Sequence, residues 1–129
     1  YLIEAEATAQ SNIVAARELL NEFMKYRFTD GSYDCSERTP TLKSFIEELI
    51  LQKRIEFWGE GIIMFDLKRL DMSMTRGYKG TNSPSDYRLN TDGRAPHWNF
   101  VIPGGEIQNN PAVVNNPDPS GKITPWTDK

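Results

Sequence analysis

The sequence predicts a mainly α fold: a TPR-like αα-hairpin, a buried central helix, long loops and an extended C-terminal tail. Three observations carry this expectation. Apolar residues between Leu42 and Ile62 recur at three- and four-residue steps, the spacing of one helix face. Two shorter stretches before Met24 show the same period with small residues in the stripe. Beyond Leu70 the period is lost and Asn, Pro, Gly and Ser take over, the composition of loops.

The chain opens on YLIEAEATAQ, a helical sequence with no Asp, Ser or Thr ahead of it as a cap. Residues 1–129 are therefore expected to be a segment of a larger chain. Leu2, Ala5, Ala7 and Ala9 form a small-residue stripe that admits a close neighbour. The expected neighbour starts at the capping residues Ser11 and Asn12 and continues through Ile13, Ala16, Leu20, Phe23, Met24 and Arg27. Two helices joined by a short turn make an αα-hairpin, the unit that helical-repeat proteins stack. Asp30-Gly31 and Pro40 then mark a connecting loop, which brings Thr39 or Thr41 to cap the central helix.

In that central helix Leu42, Phe45, Ile46, Leu49, Ile50 and Phe57 make one stripe, while Leu51, Ile55, Trp58 and Ile62 make a second. A helix apolar on two faces is expected to be buried from two sides, with Trp58 and Phe65 inside. Gly59 and Gly61 should end it, since glycine takes a left-handed conformation at little steric cost, and a short helix from Ile62 to Leu70 should follow.

Composition excludes several classes of function. The 129 residues fit one domain, and 38% hydrophobic with 11% aromatic residues suffices for a core. A formal net charge of -3 without a Lys/Arg cluster argues against nucleic acid as a partner. Cys35 stands alone, so there is neither an intrachain disulfide nor a cysteine metal site. His97 is the only histidine, and beside Pro96 and Trp98, with no G-x-S-x-G motif, it reads as a loop residue and not as a catalytic base. No metal, cofactor or catalytic residue is implied. No apolar run reaches the 18 residues expected of a membrane helix.

The charged residues Arg54, Glu56, Glu60, Asp66 and Arg69 surround the glycine break. Their expected role is a structural network of ion pairs and helix-end contacts, with Arg54 paired to Asp66 or Glu60. A sharper alternative is a glycosidase dyad of Glu56 and Glu60, which requires about 5 Å between an acid and a nucleophile. Against it, both carboxylates sit among basic residues and neither is placed in an apolar pocket that would raise its pKa.

Residues 71–97 form a long loop, and loops of that length are usually functional or mobile. Its Tyr78 and Tyr87 lie in a Gly/Asn/Ser/Asp setting suited to stacking on a sugar ring and bonding its hydroxyls. The alternative is that both rings anchor the loop to the body of the protein. Alternation through Trp98, Phe100 and Ile102 suggests an extended strap, Glu106 to Asn109 a helical turn, and residues 120–129 a frayed polar tail.

The run KRIEFWGEG followed by FDLKR (residues 53–61 and 65–69) resembles the C-terminal signature of the SusD/RagB family of nutrient-uptake outer-membrane proteins. Tyr1 to Ala7 resembles that family's YLIEAEA helix. Ile102-Pro103, Glu106-Ile107, Asn110-Pro111 and Asn116-Pro117 resemble its ending. The resemblance implies a non-catalytic, cell-surface protein that binds an oligosaccharide or polysaccharide and passes it to a SusC-like TonB-dependent transporter. It further implies location on the outer face of the outer membrane, held there by a lipid anchor upstream of this chain. Cys35 lacks a preceding apolar segment and is not expected to be that anchor. Outside the resemblance stand two alternatives, a helical-repeat protein-interaction module and a glycan-cleaving enzyme.

Overall fold

A computed structural model describes residues 1–95, 98–116 and 123–125. The chain divides into two compact units, Tyr1–Ile63 and Met64–Lys129.

The first unit holds three helices: α1 (Leu2–Ala9), α2 (Ile13–Met24) and α3 (Leu42–Glu56). Asn12 caps α2 by accepting a 3.1 Å hydrogen bond from the Ala15 amide, so the turn between α1 and α2 is short because its polar groups are satisfied locally. Ala5, Ala9 and Ala16 are buried, and these small side chains let α1 and α2 pack closely. Leu2, Leu20, Met24, Phe45 and Leu49 complete the core. Thr41 and Ser44 cap α3 reciprocally, each side chain serving the other's backbone amide.

The connection between α2 and α3 belongs to the core as well. Cys35 and Thr39 have no exposed surface. The Cys35 amide donates to Asn21 Oδ1 at 3.0 Å, and the Thr39 hydroxyl donates to the Cys35 carbonyl at 2.8 Å. Arg17 donates to both the carbonyl and the hydroxyl oxygen of Thr39. Side chains of α2 thus supply the hydrogen bonds that an irregular segment needs in order to be buried.

Two-sided burial of the central helix does not occur. Trp58 is 87% exposed, Phe65 74% and Ile55 63%, and Leu51 and Ile62 are exposed too. The helix packs on α1 and α2 through the Phe45 and Leu49 face alone. The second stripe is apolar, but nothing among the described residues covers it. The helix ends at Glu56, ahead of the stop expected near Trp58 or Gly59, and Gly59 follows with φ +84°, in the left-handed region that favours glycine.

In the second unit the helix α4 (Ile63–Arg69), whose first residue closes the first unit, leads into the long loop and a 3-10 turn at Ser85–Tyr87. The strand β1 (Leu89–Thr91) pairs antiparallel with β2 (Ile123–Pro125), Asn90 lying opposite Thr124. Between them α5 (Gly104–Asn109) starts behind Pro103, two residues ahead of the expected turn. Part of the tail expected to fray is therefore β2, and the rest of residues 120–129 lies outside the described residues, as do Pro96 and His97. The strap expected over residues 98–102 is not a strand. Its backbone groups are taken by side chains instead: the Ile102 amide donates to Asn115 Oδ1 at 2.9 Å, and Asn116 Nδ2 donates to the Phe100 carbonyl at 2.7 Å.

Candidate functional site

The charged cluster around the glycine break resolves into two separate ion pairs, one long-range and one within a helix. Arg27, just past α2, makes a two-pronged contact with Glu56, its Nε donating to Oε2 at 2.8 Å and its Nη2 to Oε1. Hydrogen bonding and the charge of Arg27 hold the Glu56 carboxyl below the usual glutamate range. Asp66 pairs with Arg69 one helical turn on, at 2.6 Å. Arg54 and Glu60 are exposed, and among the described residues neither makes an ion pair. The pairing of Arg54 with Glu60 or Asp66 is replaced by these contacts. A Glu56 carboxyl held ionised by a guanidinium is the reverse of what a general acid requires.

Tyr78 and Tyr87 both stand on a loop that is ordered by side-chain to backbone hydrogen bonds. The base of the loop is laced from residues 71 to 94. The Arg94 amide donates to Asp71 Oδ1 at 2.8 Å, and the Gly93 amide to Ser73 Oγ at 2.9 Å. The Met74 amide donates to Thr91 Oγ1 and the Thr91 amide to the Met74 carbonyl, each at 2.9 Å. Thr75 bridges antiparallel to Asn90. The Asn90 carboxamide then takes hold of the next two residues: Oδ1 accepts from the amides of Arg76 at 3.0 Å and Gly77 at 2.9 Å, and Nδ2 donates to the Gly77 carbonyl at 3.1 Å.

Above that clamp the chain turns at residues 78–81, with the Thr81 amide donating to the Tyr78 carbonyl at 3.1 Å. Gly80 occupies the third position with φ +87°, which a residue with a Cβ adopts only under strain. Thr81 closes the far side by donating from its hydroxyl to the Arg76 carbonyl at 2.8 Å. Tyr78 is 52% exposed at the tip, and Tyr87 is 60% exposed in the 3-10 turn. Among the described residues neither ring stacks on another ring and neither hydroxyl is hydrogen-bonded. Sequence reasoning singled out the two tyrosines as candidates but not Asn90, because a side chain that bonds to backbone leaves no periodic trace.

Among the described residues no group of His, Cys, Asp and Glu side chains is arranged to hold a metal ion, and no helix is long and apolar enough to cross a membrane. The model of the SusD family matches residues 1–118, which takes in the opening helix, the glycine break and the Asn-Pro ending together. The chain belongs to the SusD family. No curated protein and no solved structure matches it. Membership supports a role in glycan binding for nutrient uptake in general, in a family known for binding without catalysis and typically associated with the outer membrane.

Proposed function

We propose that this SusD-family chain takes part in binding an oligosaccharide or polysaccharide at the cell surface and delivering it to a SusC-like TonB-dependent transporter, without cleaving it. The observation that carries this is the family match across residues 1–118. Two features support it: Tyr78 and Tyr87 offer free aromatic faces in a setting rich in hydroxyl and amide groups, and Glu56 is held as a carboxylate by Arg27. A sugar presents an axial C–H face that stacks on such a ring and a rim of hydroxyls that hydrogen-bond. Attachment to the outer face of the outer membrane through a lipid is part of the same proposal. Cys35, without exposed surface, is no acceptor for it.

The test is an equilibrium binding screen against a panel of soluble polysaccharides, together with a reducing-end assay on whichever binds. Saturable binding with no new reducing ends is the expected result. A second reading, a helical-repeat module that binds a protein partner, draws on the exposed stripe of Leu51, Ile55 and Trp58. If it holds, Leu51→Ser with Trp58→Ser weakens capture of the transporter while leaving glycan affinity unchanged.

A further inference from the structure

The 76–81 turn combines three properties that occur together nowhere else among the described residues. Its backbone is fixed, by three hydrogen bonds from Asn90 and one from Thr81. Its tip residue is an exposed aromatic ring without a partner. Its charge is of one sign: between Asp71 and Asp86 the only charged residues are Arg76 and Lys79, which flank Tyr78. Both are exposed, and neither makes an ion pair among the described residues.

Each acid that borders the stretch is already engaged. Asp71 accepts the Arg94 amide at 2.8 Å, and Asp86 accepts the Ser85 hydroxyl at 3.2 Å. In a chain of net charge -3, an exposed tyrosine between two uncompensated cations is a local exception that the fold does not need for its own stability. Surface cations contribute little to folding when they have no partner. Beside a stacking ring they supply charge-assisted hydrogen bonds to a carboxylate.

We propose that the 76–81 turn is a glycan-contact element that takes an acidic, uronate-type sugar, with Tyr78 stacking on the ring, Arg76 and Lys79 meeting its carboxylate, and Asn90 as the positioning residue. This deepens the glycan-binding reading and rests on it. Asn90 touches no sugar. Its carboxamide removes the freedom the turn would otherwise lose on binding, and a contact ordered in advance binds more tightly than one ordered by its ligand.

The test measures affinity of the full chain for a galacturonic acid hexamer, a mannuronic acid hexamer, the galacturonic acid hexamer with its carboxyls methyl-esterified, and neutral maltohexaose and cellohexaose. At least one acidic hexamer should bind more tightly than any of the uncharged ones, more weakly as ionic strength rises. Tyr78→Ala should lower that affinity by about tenfold or more, and Arg76→Gln with Lys79→Gln should abolish the preference for the acid over uncharged sugars. Asn90→Ala should lower affinity in the native background and have no further effect in a Tyr78→Ala background, a non-additivity that general destabilisation does not produce. Thr81→Val, which removes the hydroxyl's bonds to the Arg76 carbonyl and from the Ser83 amide, is the milder variant should Asn90→Ala fail to fold.

Equal or tighter binding of uncharged hexamers, or acid binding that tolerates Tyr78→Ala, overturns the acidic-sugar element and leaves the glycan-binding reading intact. Binding to none of these sugars and to nothing in the broader polysaccharide panel overturns both.

Discussion

The Lys53 ammonium lies 2.9 Å from a Glu6 carboxylate oxygen, joining α3 to α1 with only 4% and 12% of the two side chains exposed. Withdrawn from water, the two charges stabilise each other, and removing one takes away a close partner from a buried charge. Glu6→Gln or Lys53→Ala should therefore cost about 3 to 5 kcal/mol in a denaturant melt. Replacing both together, Glu6→Leu with Lys53→Met, should recover most of that loss. A double variant as unstable as the worse single one would show that the site depends on charge and not on filled volume.

Phe45 lies within α3 and Trp58 just past its end at Glu56, and the two should behave oppositely. Phe45 has no exposed surface, and Phe45→Ala should cost about 3 to 5 kcal/mol. Trp58 is 87% exposed, so Trp58→Ala should change stability by no more than about 0.5 kcal/mol. Parallel urea melts decide the matter, and a large loss at Trp58 would mean that the outer stripe is covered in solution.

That contrast shows what the sequence can and cannot convey. Period and capping chemistry located α1, α2 and α3, narrowed the caps to Ser11 or Asn12 and to Thr39 or Thr41, and marked the glycine break, because those features act over a few residues. An apolar stripe declares its own composition and not the presence of a cover, so Leu51, Ile55, Trp58 and Phe65 were expected inside. Contacts between distant positions are equally silent. Arg27 and Glu56 are 29 residues apart, and nothing local marks them as a pair. The Asn90 clamp escaped for a related reason: one asparagine in a polar loop looks like any other until its backbone partners are in place.

Acid should weaken the first unit through Glu56. Its carboxyl is held below the ordinary value of 4.5 by the hydrogen bonds and charge of Arg27. A group whose pKa is lower folded than unfolded stabilises the fold above the unfolded value and loses that contribution as pH falls through the folded one. Thermal melts should thus fall between neutral pH and pH values below 4.5, and Glu56→Gln should flatten that part of the profile. An identical acid slope in the variant would assign the effect to other carboxylates, such as Asp34, which is also lowered through its bonds to Ser36 and Asn21.

Cys35 should be chemically inert while the protein is folded. It has no exposed surface, and burial pushes its thiol pKa up, which disfavours the thiolate that reacts with alkylating agents. A maleimide should label it slowly in buffer and rapidly in denaturant. Fast labelling of the native chain would place the connection between α2 and α3 in an open state, contrary to the hydrogen bonds that Asn21 and Thr39 make around it.

The Arg27 contact also argues against Glu56 as a general acid. A glycosidase working near neutral pH needs one carboxyl raised so that it is protonated and can deliver a proton to the leaving oxygen. Here the two-pronged Arg27 contact drives Glu56 in the opposite direction. Glu56→Gln should accordingly leave glycan affinity unchanged once its effect on folding is controlled by a melt, and prolonged incubation of the native chain with a bound glycan should release no new reducing ends. Release that vanishes in Glu56→Gln or Glu60→Gln, in a variant that melts normally, would reverse the assignment. It would place the acid at Glu60 with Glu56 as the ionised partner, or require the Arg27 pair to open so that Glu56 takes up a proton.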